Sequence, residues 1–157
     1  MNRRNFVSVL AGFFAARGAV AASGGGSAVQ KLVLSDDEWK KRLAPEQFAV
    51  LRHEATERAG SSPLDHEKRK GTFACAGCDL ALFDSATKFD SGTGWPSFYT
   101  FIPGHLETKT DFKLIVPRTE YHCARCGGHQ GHVFDDGPPP TGKRYCNNGV
   151  ALKFIPA

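Results

Sequence analysis

Cysteine and histidine carry the chemistry open to this chain, and their spacing sorts the sulfurs into two kinds. Cys75-Ala-Gly-Cys78 and Cys123-Ala-Arg-Cys126 are matching C-x-x-C pairs, while Cys146 stands alone. A C-x-x-C loop is tight enough to point two thiolates at one ion, and four thiolates complete a closed tetrahedral zinc site. Four cysteines could instead make two disulfides, or one pair could be a thioredoxin-like redox dithiol. The duplication, and Gly127 directly after Cys126, favour metal. Such an ion would staple two hairpins that are distant in sequence, and its binding would contribute to folding.

Cys146 is left over, and a lone cysteine near histidines is a candidate nucleophile. Its reactive form is the thiolate, which Arg144 would favour from the same strand face two residues away. A core cysteine is usually flanked by alternating apolar residues, whereas Cys146 is followed by Asn147 and Asn148. His129 and His132 follow the second C-x-x-C and could move protons near neutral pH. They could also extend that motif as metal ligands, but the four cysteines already fill a tetrahedral site. His53, His66, His105 and His122 have no comparable company and receive no role. In Gly92-Thr93-Gly94-Trp95-Pro96-Ser97-Phe98, glycine and proline hold a tight turn that presents Trp95 as a rigid apolar wall.

Two helices and a set of short strands must position these groups. Ser35 reads as an N-cap, with Glu38 at the capping-box position of a helix carrying Trp39 and Leu43. Pro45 suits the first turn of a second helix, from Ala44 to about His53, with Phe48 and Leu51 on its buried face. Residues 54–70 read as loop. Strands are expected at Thr72-Phe73, Leu80–Phe83, Phe98–Ile102, Phe112–Val116, Glu120–His122, Gly131–Phe134, Arg144–Tyr145 and Val150–Ile155. Their close spacing, with 17 glycines and 9 prolines in the chain, predicts a mainly β fold: an antiparallel sandwich or small barrel.

The 157 residues suffice for one domain with a hydrophobic core. Residues 1–21 read as an export signal of twin-arginine type. Arg3-Arg4 precede an apolar stretch from Phe6 to Ala16, too short to span a bilayer, and Ala19-Val20-Ala21 offers a cleavage site. That predicts a bacterial periplasmic protein with no membrane span in its mature form. Residues 22–34, including Ser23-Gly-Gly-Gly-Ser27, read as a linker, and residues 35–157 as the domain. The formal charge of +4 falls to about +1 without the three leader arginines. That is no footprint for nucleic acid.

Taken together, Glu38–Arg52 (EWKKRLAPEQFAVLR), the C-x-x-C pairs, Lys88–Phe98 (KFDSGTGWPSF) and Cys126–Phe154 resemble the methionine-R-sulfoxide reductases of the B type. The resemblance covers nearly all of residues 35–156. It implies two antiparallel sheets with N-terminal helices and a structural zinc on Cys75, Cys78, Cys123 and Cys126. It also implies reduction of the R epimer of methionine sulfoxide, free or in oxidised proteins and peptides. On this likeness Cys146 is the catalytic cysteine, His129, His132 and Asn148 are active-site residues, and Trp95 contacts the substrate methyl. Many members carry a second cysteine where Thr93 stands, so the oxidised Cys146 would be met by an external reductant, a thioredoxin-like protein or a small thiol. Asn147 and Gly149 replace an apolar residue and a serine common around the asparagine. Two rival functions are a non-catalytic zinc module that binds a protein and a cysteine hydrolase using Cys146 with His132. The first has no need of Cys146, both histidines and Asn148 together, and the second requires an oxyanion hole and an acyl substrate, of which the sequence gives no particular sign.

Overall fold

The computed structural model describes residues 28–157, so the export signal expected over residues 1–21 lies outside the described residues. Residues 28–34 have no regular secondary structure, yet Val29, Leu32 and Leu34 pack against the core and the Leu32 N–H bonds the Arg125 carbonyl at 2.7 Å. Two short helices follow, α1 (Asp36–Arg42) and α2 (Pro45–His53). The α1 start is as expected: the Ser35 hydroxyl accepts from the Glu38 N–H while the Glu38 carboxylate accepts from the Ser35 N–H. Trp39 is buried from α1. The buried residues of α2 are Val50 and Leu51, with Phe48 partly covered. Residues 54–70 form a loop interrupted by a single 3-10 turn, Pro63–His66.

Among the described residues, nine strands make two antiparallel sheets. They are β1 (Gly71–Cys75), β2 (Ala81–Asp84), β3 (Lys88–Phe89), β4 (Ser97–Phe98), β5 (Leu106–Asp111), β6 (Arg118–Cys123), β7 (His129–Phe134), β8 (Arg144–Asn147) and β9 (Leu152–Pro156). One sheet has three strands in the order β2-β1-β9, the other six in the order β3-β4-β8-β7-β6-β5. Aromatic rings fill the space between them. Phe83 of the small sheet stacks on Phe98 of the large one at 4.0 Å between centroids, and Phe73 meets Phe98 edge-on at 5.0 Å. These rings are fully buried, as is Tyr121, and each contributes about 1.5–3 kcal/mol through area removed from water.

Two strand expectations need correction. Phe112–Val116 is not a strand but the exposed connection between β5 and β6. The ladder lies just upstream, from Leu106↔Cys123 to Asp111↔Arg118. Hydrophobic, β-branched composition suggested the wrong segment, because an edge strand owes its place to backbone pairing and exposes its side chains. In Phe98–Ile102 only Phe98 is in a ladder.

Candidate functional site

The four paired cysteines come together from both sheets. Cys75 ends β1 and Cys78 lies in the turn to β2, while Cys123 ends β6 and Cys126 lies in the turn to β7. Each turn closes alike: the N–H of the residue after the second cysteine bonds the carbonyl of the first, Asp79 to Cys75 and Gly127 to Cys123, both at 2.9 Å. Both residues have positive φ, 60° and 66°, which glycine adopts freely and aspartate tolerates. All four sulfurs lie within 4.8 Å of one another. Cys75 Sγ is 3.7 Å from Cys126 Sγ, and Cys78 Sγ is 3.4 Å from Cys123 Sγ. A tetrahedron with metal–sulfur bonds of about 2.3 Å has edges of about 3.8 Å, so the donor set fits one metal ion. None of the cysteines is in a disulfide.

Strand register builds the second site. β8 lies between β4 and β7, with Ser97 paired to Cys146 on one side and His132 paired to Cys146 on the other. Directly paired residues point to one face with Cβ atoms about 4.5–5.5 Å apart. Cys146 and His132 therefore face a common pocket of about 130 Å³, also lined by Trp95, Asn148, Thr56 and Arg118. Gly131 lets β7 approach β8: a Cβ there would stand 1.9 Å from the Cys146 carbonyl oxygen. Half-buried Trp95 is oriented by its indole N–H, which donates to the Glu57 carbonyl at 3.2 Å. A larger cavity of about 700 Å³ lies beside the pocket. It holds no cysteine or histidine, and the Glu57 carboxylate at its wall is occupied by the N–H groups of Gly149 and Val150.

The two expected histidines are brought together but not made equivalent. His132 Nε2 is 2.7 Å from Asp111 Oδ2, and its ring lines the pocket. His129 is 2% exposed and sits behind it, ring centroids 5.5 Å apart, with Nδ1 held 2.7 Å from Glu120 Oε1. Asn148 lines the pocket, but its hydrogen bonds run to backbone: Oδ1 accepts from the Glu57 N–H and Nδ2 donates to the Gln130 carbonyl. It thus fixes the loop carrying Thr56 and Glu57 to β7.

Charge in the pocket is arranged around a thiol and an imidazole that burial keeps neutral. Burial pushes the Cys146 thiol above its ordinary value, while the Arg144 guanidinium and the Thr93 hydroxyl oppose this. Burial also lowers the His132 imidazole, only partly offset by Asp111. Asp111 is held well below the usual carboxylate range by the Lys113 N–H, His132 and Arg118. Burial would raise Glu120, but hydrogen bonds from His122 and His129 outweigh it and bring its carboxyl down to about 2. At neutral pH the pocket therefore presents a thiol beside an imidazole, flanked by ionised carboxylates.

Sequence reasoning missed Glu57, Asp111, Glu120 and Arg118, which orient the residues that it found. Single carboxylates or arginines without a spacing motif give no signal. It also assigned His122 no role, yet His122 Nδ1 lies 2.9 Å from Glu120 Oε2. The two unusual residues beside Asn148 have clear settings. Buried Asn147 accepts from the Tyr121 hydroxyl at 2.8 Å and donates to the Asn148 carbonyl. At Gly149 a Cβ would stand 2.0 Å from the Ser62 hydroxyl, which fills that space.

Comparison with known proteins agrees with this geometry. The SelR domain family matches residues 43–156. A peptide methionine sulfoxide reductase MsrB of Methanosarcina barkeri is 54% identical over 121 residues, 76% of this chain and 85% of the relative. The MsrB of Bradyrhizobium diazoefficiens is 50% identical over 127 residues, 80% of this chain and 91% of the relative. The chloroplastic peptide methionine sulfoxide reductase B1 of Arabidopsis thaliana is 56% identical over 122 residues, 77% of this chain but 60% of that longer relative. With its paired cysteines gathered for a metal and its lone cysteine facing a histidine, the chain belongs to the SelR family, together with the methionine sulfoxide reductases of the MsrB type.

Proposed function

We propose that this chain reduces the R epimer of methionine sulfoxide to methionine, with Cys146 as the nucleophile. The observation that carries this reading is the β8 register, which sets Cys146 opposite His132 in one pocket walled by Trp95. Cys146 sulfur attacks the electrophilic sulfoxide sulfur. His132 takes the thiol proton, an uphill step because the thiol is raised and the imidazole lowered, and delivers it to the sulfoxide oxygen, a step that the same lowered imidazole favours. The sulfur–sulfur bond then breaks as the protonated oxygen passes to Cys146, which leaves Cys146 as sulfenic acid and methionine with its sulfur reduced by two electrons. His129 backs the His132 ring, and Asn148 holds the pocket wall.

Epimer choice follows from three contacts. Cys146 meets the sulfur, His132 the oxygen and Trp95 the methyl group. Inverting the sulfur would turn the oxygen toward the indole face and the methyl toward the imidazole, stranding a polar group without a partner.

The sulfenic acid needs reducing thiols from outside, since the other four cysteines are gathered in their own cluster. One thiol displaces water to give a mixed disulfide, and a second releases Cys146. The cluster suits zinc, which would supply a structural staple between the two sheets. The proposal extends to a periplasmic location, on the order of basic, apolar and small residues within residues 1–21; fractionation of cells expressing the full chain tests it.

A coupled assay with the two sulfoxide epimers of a blocked methionine tests the reaction. Turnover of R only, abolished in Cys146→Ser, is expected; activity surviving that substitution would refute the assignment.

A further inference from the structure

Cys146 must be met twice in each cycle, first by the sulfoxide and then by a reducing thiol, and the large sheet gives it two sides. Sheet order sets β8 between β4 and β7, so Ser97, Cys146 and His132 stand in one row across three strands. On the β7 side, His132 and Phe134 line the Trp95 pocket. On the β4 side the row runs on through hydroxyls. Ser97 Oγ is 2.8 Å from Ser91 Oγ, which is 2.8 Å from Thr93 Oγ1. There a separate, open groove of about 380 Å³ is lined by Asp90, Ser91, Thr93, Asp136 and Arg144. Thr93 and Arg144 are also the polar neighbours of the Cys146 thiol, so the groove ends beside the reacting sulfur.

Displacement at sulfur is in line, because the entering lone pair fills the antibonding orbital directly behind the bond that breaks. In the Cys146 sulfenic acid that bond is S–O, and His132 protonated the oxygen from the β7 side. The entering thiol therefore approaches from the β4 side, where the groove lies. Its charge is uneven. Arg144 Nε and Nη2 donate to the two Asp136 carboxylate oxygens at 2.8 and 2.9 Å, so this pair cancels. Exposed Asp90 is left over, since Lys88, two residues away, turns its ammonium to the Asp65 carbonyl at 2.6 Å.

We propose that this groove is the entry for the reducing thiol, and that it favours a small thiol carrying a positive charge. This rests on the reading of Cys146 as the methionine sulfoxide nucleophile. The thiolate bonds the Cys146 sulfur as the S–O bond breaks, and the oxygen leaves as water with the proton that the thiol gave up. A second thiol then bonds the first and its proton returns to Cys146, the two thiols together losing two electrons.

The test separates the two half-reactions. The chain is given the R-sulfoxide of a blocked methionine without thiol, and the reduced product is counted; about one per chain is expected, as one sulfenic acid forms per turnover. Cysteamine, mercaptoethanol or mercaptoacetate is then added, and the rate of mixed-disulfide formation at Cys146 is followed by mass spectrometry. Asp90→Asn removes the charge and can keep the hydrogen bond that Asp90 Oδ1 accepts from the Gly92 N–H at 2.9 Å. It should lower the cysteamine-to-mercaptoethanol rate ratio about fivefold, the effect of one unit charge about 4 Å away in water. The mercaptoacetate-to-mercaptoethanol ratio should rise by a similar factor, and Asp90→Lys should carry both ratios further. Comparing ratios between proteins cancels the intrinsic reactivity of each thiol. Equal ratios in all three proteins, or a change of the same sign for both charged thiols, would overturn the entry. An intact chain that reduces no sulfoxide without thiol would instead refute the reductase reading, and the entry with it.

Discussion

The chain keeps its thiols in two settings that differ in almost every physical respect. The four paired cysteines sit in hairpin turns from two sheets, largely buried, with sulfur facing sulfur. Cys146 sits within a strand beside an imidazole, an indole, a guanidinium and a hydroxyl. The contrast teaches that a thiol's role is assigned by its neighbours. Sulfurs at tetrahedral spacing suit an ion, which would remove them from redox chemistry, while a thiol facing proton carriers stays free to react. The two settings are joined by Gln130 of β7: its side-chain amide donates to Cys75 Sγ at 3.4 Å and its carbonyl accepts from Asn148.

Breaking the cluster should have the largest effect. Cys75→Ser, or prolonged chelation, is expected to release the metal and unfold the chain. Structural zinc in small domains is worth about 10–16 kcal/mol of apparent binding, comparable to the whole stability of such a domain. Metal analysis with circular dichroism checks this, and a metal-free, fully folded protein would contradict it. Breaking the other setting should leave the fold intact. Cys146→Ser is expected to lose activity by on the order of 10³-fold or more while its thermal midpoint moves by no more than about 4 °C.

The contrast sharpens if the free thiol is given a partner. Thr93 stands beside Cys146, so Thr93→Cys should convert the oxidised protein to one with an internal 93–146 disulfide, seen by mass spectrometry of unreduced peptides. The unaltered chain should instead be trapped as a mixed disulfide between Cys146 and its reductant. Smallest in effect is Asp111→Asn. Losing one charge-assisted hydrogen bond to His132 should cost about tenfold in kcat/KM. The pH profile adds a signature. The active form pairs a Cys146 thiol with a neutral His132, so activity falls as pH drops through the His132 value and as it rises through the Cys146 value. Asp111 stabilises the imidazolium; removing it lowers the His132 value further and moves the acid limb to lower pH. A limb that stays in place would separate His132 from the proton transfer.

Much of this was legible in the sequence where a local rule has a sharp signature. The capping box at Ser35 and Glu38, the proline entry to α2 and the paired C-x-x-C turns all appear where expected. Cys146, His132 and Trp95 share a pocket as the residue types suggested. Phe112–Val116 misled, because its composition is that of a strand while its partners are solvent. The carboxylates that set protonation, Asp111 and Glu120, were invisible. Each acts on a residue reached only through the β5–β6 and β6–β7 ladders.

By itself the sequence determined the division of sulfurs, four in pairs and one alone, and the order of short elements, because spacing and turn chemistry act over a few residues. Tertiary structure alone decided which imidazole faces the thiol and which lies behind it, which carboxylate holds each, and that an apolar run stands in water between β5 and β6. Those outcomes depend on cross-strand register and sheet order, which bring together residues far apart in the chain, and no local pattern encodes them.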